Sequence, residues 1–170
     1  MARPAYAHTD PAWGVAANLP PALEGDLAAV ITGRPRFDSP ELDSLPAASA
    51  LIALWRRHGR DAPKHIHGTF ALAVLDRREK SVFLALDRIG AEKLAFAPSA
   101  AGVVFASQAD MVAAHPAVGS ELDPQGLFNY LYFYQVPSPG GIFQGVEKLL
   151  PAQWASWKHG ETSRGFYWAL

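Results

Sequence analysis

The sequence predicts an α+β chain whose antiparallel strands are covered on both faces in a layered fold. Two observations carry this. The runs "TFALAVLD" (69–76) and "SVFLALD" (81–87) place apolar residues at successive positions instead of alternate ones, as strands buried on both faces do. The four residues "RREK" between them are a short charged turn, which joins antiparallel neighbours.

In chain order, residues 1–26 are rich in Ala and Pro and carry the pair Pro20-Pro21, which suits neither a helix nor a central strand. We expect an irregular arm there, ahead of a single domain over 27–170. "LAAVIT" (27–32) is a short apolar run before Gly33 and reads as a buried strand. Prolines at 35, 40 and 46 make 33–46 a loop. "AASALIALWRRHG" (47–59) is an amphipathic helix with Leu51, Ile52, Leu54 and Trp55 on one face, a basic last turn and Gly59 as its cap. "GVVFAS" (102–107) is a further strand covered on both faces. Ser107 with Asp110 forms a capping box for a helix that Pro116 ends. Asp123-Pro124 opens the helix "QGLFNYLYFY", whose aromatics cover most of its circumference, so it is deeply packed or forms an interface. "AQWASWKHGETSRGFYW" is a hairpin turning at "KHGE".

The totals narrow the functional classes. The 170 residues suit one domain, and a hydrophobic share of 49% supports a substantial core. A net charge of −1 favours neither nucleic acid nor an anionic membrane. With no cysteine in the sequence, disulfides, thiolate metal sites and a thiol nucleophile are excluded within it. No apolar run reaches the roughly 18 residues of a membrane span, and the first residues lack an export-signal core. The expected location is the cytoplasm.

Taken in register, "HGTFALAVLD", "VFLALDRIGAEKLAF", "FASQADMVAAHP", "LDPQGLFNYLYFYQVPSPGGIFQGVEKLLPA" and "FYW" resemble the glutaminase domain of asparagine synthetases, a class II glutamine amidotransferase domain. The corresponding family patterns are "NGMFAFALWD", "LFLARDRxGxKPLYY", "FASE.KALLAHP", "LDP.AL..YL.F..VP.P.TIF.GV.KLPPG" and "YW". The resemblance implies an N-terminal nucleophile hydrolase fold, an αββα sandwich of two stacked antiparallel sheets between helical layers, here shortened at its N-terminus. It implies no cofactor, and as partner an ATP-dependent synthetase domain or subunit. The Ser-Gly-Gly-x-Asp-Ser phosphate loop of such a domain is not found, Gly140-Gly141 lacking the flanking residues.

The resemblance also locates what has been lost. Family members attack the glutamine carboxamide with a cysteine thiolate at position 2, with the α-amino group as base. This chain has Ala2 there. The family's Arg clamp for the substrate carboxylate has no counterpart strand in the lead-in. "TGRPRFDSPEL" (32–42) matches the "NGEIYNYREL" loop, whose Asn side chain and Gly N–H stabilise the oxyanion; here Thr32 replaces Asn and Gly33 is kept. Gly68 and Thr69 match the "NG-x-F" segment, Thr69 standing uncharged near where the family holds the substrate amine. These four residues are the expected vestigial pocket. Asp87, Arg88 and Gly90 are expected to be structural, as an ion pair or cap closing the strand.

Other residues invite a chemical role and are assigned bland ones. His65 and His67 share one face of an extended segment, without a third ligand at a familiar spacing. No metal site is expected. Trp154, Trp157, Trp168 and the Tyr130–Tyr134 stripe are read as core or interface aromatics. Tyr132, Tyr134 and Phe143 are the expected interface contacts. The resulting expectation is a degenerate amidotransferase-like domain, without glutaminase activity, that scaffolds or partners an ATP-dependent amide-forming synthetase. Relatives making amides in peptide or antibiotic biosynthesis need no glutamine-derived ammonia. The alternatives are an active glutamine-hydrolysing component of asparagine biosynthesis and a stand-alone amino-acid-binding or interaction module.

Overall fold

The computed structural model describes residues 6–10, 13–17, 20–99 and 102–169, with side chains from residue 20 onward. β1 (Tyr6–Asp10) and β2 (Trp13–Ala17) form an antiparallel hairpin of their own. β3 (Ala22–Glu24) pairs antiparallel with β4 (Leu27–Phe37). The expectation of an irregular arm over 1–26 is therefore corrected. Three strands lie within it, and β3 belongs to the main sheet.

β4 also overturns the loop expected at 33–46, since it runs through Gly33 and Pro35 to Phe37 in register with β5 (Ile66–Asp76). The reason is local. β3 covers β4 only as far as Ala29, so beyond that point one side of β4 is an open edge. Phe37 sends its N–H to Asp43 Oδ1 (2.8 Å) instead of to β5. Pro35, two residues earlier, shares that side by strand alternation and removes no ladder donor. A short helix α1 (Pro40–Asp43) follows. α2 (Ala47–His58) then buries Leu51, Ile52 and Leu54 and ends at Gly59 with φ 54°, as the sequence predicts. A 3-10 segment, Gly59–His65, leads into β5.

β5 and β6 (Ser81–Leu86) are adjacent, antiparallel and central in the six-stranded sheet, where β10 (Gln153–Lys158) and β11 (Glu161–Phe166) extend the far side in the order β11-β10-β6-β5-β4-β3. The β10–β11 turn has His159 at φ 51° and Gly160 at φ 84°, the positive pair that a tight two-residue hairpin requires. A second sheet has the order β8-β7-β9, with β7 (Ala95–Ser99), β8 (Gly102–Ala106) and β9 (Glu147–Lys148). β7 carries Pro98, a residue that disguises a strand; β9 pairs only with Ala95 and Phe96, so Pro98 lies at an unpaired edge.

Four layers result. Phe70, Leu72 and Val74 of β5 pack with α2 on one side, while Ala71, Ala73 and Leu75 pack with Phe96 and Leu149 on the other. Ala95 and Ala97 turn from the second sheet toward Val112 and Ala113 of α3 (Ala109–Ala113). β8 is half-buried at the edge of this sheet, so its cover is thinner than expected. The cap of α3 also differs: Gln108 is the N-cap and makes no side-chain bond. α4 (Pro124–Phe133) does have its expected cap, Asp123 Oδ2 accepting from Gly126 N at 2.7 Å.

Candidate functional site

Thr32 and Gly33 lie on β4 opposite Ala71 and Phe70, and Gly68 and Thr69 lie on β5 opposite Pro35 and Arg34. The four residues expected to form one pocket thus share the same end of one strand pair. Both glycines have positive φ, 93° at Gly33 and 80° at Gly68, conformations that side chains oppose. A Cβ on Gly33 would collide with the Thr69 carbonyl oxygen, and one on Gly68 with the Arg34 carbonyl oxygen. The hydroxyls are engaged inside the ladder. Thr32 Oγ1 donates to Ala71 O (3.4 Å), and Thr69 Oγ1 accepts from Arg34 N (3.3 Å). Ala2 lies outside the described residues.

Asp87 is fully buried at the end of β6. Its N–H donates to Phe70 O at 2.8 Å. Its Oδ1 accepts from Ile89 N (3.0 Å) and Ala91 N (3.1 Å), and its Oδ2 from Glu92 N (3.0 Å). The carboxylate is thereby the template on which residues 88–92 turn, with Gly90 at φ 66° and its N–H on Asp87 O. Arg88 reaches away from Asp87: Nη2 donates to Lys64 O (3.2 Å) and the guanidinium lies 6.0 Å from the centre of the Trp168 ring. The role is a cap; the described ion pairs include none between these two residues. Tyr167 OH donates to Leu86 O at 2.8 Å, and burial, then the Asp87 charge, pushes its phenol well above the usual tyrosine range.

His65 and His67 converge on Asp38, a residue the sequence did not single out. His65 Nδ1 is 2.9 Å from Oδ2, and His67 Nε2 bonds Oδ1. His58 stacks on His65 with centroids 4.0 Å apart. The hydrogen bonds from His67 and then His65 hold the Asp38 carboxyl below the usual carboxylate range. Among the described residues no group of three His, Cys, Asp or Glu is placed to hold a metal ion. The cluster clips the start of β5 to the end of β4.

The aromatics divide. Trp154 stacks with Phe83 (5.9 Å) against the core, under Arg60. A recess of about 10 Å³ between the sheets, lined by Val82, Leu84, Phe96, Val103 and Trp157, has room for little more than a water. None of the four pocket residues lines it. α4, by contrast, buries only Gly126. Phe128, Leu131, Tyr132 and Phe133 are more than half exposed, and Tyr134, its left-handed C-cap, is 87% exposed. Of the three residues expected at an interface, Tyr132 and Tyr134 are exposed, whereas Phe143 is half-buried against the α3 layer.

A family model described as a glutamine amidotransferase domain matches residues 40–168. A Bacillus subtilis protein named asparagine synthetase [glutamine-hydrolyzing] 3 is 31% identical over 93 residues, covering 54% of this chain and 15% of its own length. A putative asparagine synthetase [glutamine-hydrolyzing] of Mycobacterium tuberculosis is 30% identical over 106 residues, 59% of this chain and 16% of that protein. The chain therefore spans roughly a sixth of these relatives. A solved structure described as the allosteric regulatory enzyme of purine biosynthesis superposes with a TM-score of 0.50 at 12% identity, over 85% of this chain and 30% of that one. The αββα arrangement expected from the sequence is thus a fold that this enzyme shares over that part of its length.

Proposed function

The chain belongs to the glutamine amidotransferase domain family, and from that premise we propose that it is a degenerate member: these residues do not hydrolyse glutamine, and the domain serves an ATP-dependent, amide-forming synthetase as scaffold or partner. The observation that carries the first half is the absence of cysteine from the sequence. Hydrolysis in this family begins with a thiolate attack, and no hydroxyl of the pocket replaces it. Thr32 Oγ1 bonds Ala71 O and Thr69 Oγ1 bonds Arg34 N, and among the described residues neither hydroxyl bonds an imidazole. The oxyanion donors are also reduced. An amide side chain there contributes roughly 3 kcal/mol, and Thr32 has a shorter reach. The second half rests on α4, an uncharged aromatic helix left largely uncovered. Gly33 and the names of the glutamine-hydrolysing relatives favour an active glutaminase instead. One assay decides between the readings. Pure protein with glutamine should release ammonia no faster than buffer, and turnover above roughly 0.1 per second, against a typical enzyme median near 10, overturns the degenerate reading.

A further inference from the structure

Glu92 reaches Gly33 from outside the strand pair. Its Oε1 lies 2.9 Å from the point where a Cβ on Gly33 would stand. That is closer than real Cβ atoms approach anything, so the carboxylate occupies the space the missing side chain leaves. The position is built. Glu92 N is tied to Asp87 Oδ2 (3.0 Å), Ala91 N to Asp87 Oδ1 (3.1 Å), and Asp87 itself is fully buried and bonded through its N–H to Phe70 O (2.8 Å). Phe70 is the register partner of Gly33. One buried aspartate therefore aims the 88–92 turn across β5, onto the glycine. The Thr69 carbonyl oxygen crowds the same point. A ligand approaching this face meets the Glu92 carboxylate, half-buried on a backbone anchored at Asp87, and a carbonyl dipole, both repelling a carboxylate or a developing oxyanion.

We propose that Glu92 is the resident occupant of the vestigial pocket, closing the Gly33 face to free carboxylates and amino acids. This rests on the degenerate reading above and adds the residue that enforces it: the site is filled as well as stripped of its nucleophile. It also argues against a role as an amino-acid-binding module.

The test is a titration of the intact chain with acetate and, separately, with glutamine, followed by the amide resonances of Gly33 and Thr69. Wild type, Glu92→Gln and Glu92→Ala are compared. Wild type should show no saturable shift in the millimolar range. Glu92→Ala should bind at least one probe about tenfold more tightly than wild type, with Glu92→Gln, which keeps the bulk and loses the charge, between them. Wild type binding either probe as tightly as Glu92→Ala overturns the proposal, and so does a folded Glu92→Ala that binds neither. Should Glu92→Ala fail to fold, Glu92→Gln decides alone, by a gain in acetate binding or its absence. Silent glutamine binding by wild type removes only the closure, whereas ammonia release removes the degenerate reading too.

Discussion

Asp87 holds three backbone N–H groups with two oxygens while fully buried. Asp87→Ala strands these donors in a turn that is partly rewetted, so the expected loss is about 2–5 kcal/mol, read as a lower urea midpoint at unchanged slope. Tyr167 makes a pH prediction. Its folded-state pKa is raised, by burial and then by Asp87, so its contribution is complete below the ordinary tyrosine value near 10 and is lost as pH rises beyond it. Tyr167→Phe should cost about 1 kcal/mol at neutral pH, through the bond to Leu86 O, yet flatten the alkaline loss of stability. Thermal melts of both proteins from neutral pH to about 11 check this; parallel curves would contradict it. The turn built on Asp87 and Gly90, and the placement of Thr32-Gly33 against Gly68-Thr69 on one strand pair, lie inside short motifs and so left a mark in the sequence. Glu92 and Asp38 left none. Asp38 meets His65 and His67 across 27 and 29 residues, and no local pattern marks a carboxylate that only the register of β4 on β5 brings to its partners.

Elements were legible where their ends are punctuated. α2 stops at its glycine and α4 starts at its Asp-Pro. In the sequence Gly33 and Pro35 read as breakers that shorten β4, because nothing local marks the open edge on which a proline removes no ladder bond. For α4 the aromatic stripe left two outcomes, core or interface; exposure excludes the first within the described residues and supports the second as proposed above. Seven large apolar residues from Leu127 to Tyr134 stand between 38% and 87% exposed. That amounts to on the order of 800 Å² at the usual area per side chain. Typical monomers show apolar patches of about 300–600 Å², and one side of a standard interface is about 800 Å². Tyr132→Ser with Tyr134→Ser should leave the melting temperature nearly unchanged, because neither side chain is buried, and should abolish co-elution with an ATP-dependent synthetase domain of the class proposed as partner. Retained co-elution would place the contact elsewhere.

At the scale of the molecule, the layering was legible because β5 carries apolar residues at both parities, one set for α2 and one for the second sheet. Leu72 lies in the middle of that strand at 1% exposure. Leu72→Ala should therefore cost about 2–5 kcal/mol as a core cavity, measured by denaturant unfolding; a cost under about 1 kcal/mol would mean that the strand is not the core it looks to be. The strand order beyond β6 was not legible. β5 and β6 are joined by a four-residue turn, but β6 takes its other neighbour from β10, with Val82 beside Trp157 and Ala85 beside Trp154. This has a bearing on synthesis. While the chain emerges from its N-terminus, β3 to β6 can assemble early, and the free side of β6 must then wait for residues 153–158. During that interval an apolar strand with unsatisfied backbone groups is a template for pairing between nascent chains. The β10–β11 hairpin is thus the closure that ends the hazard.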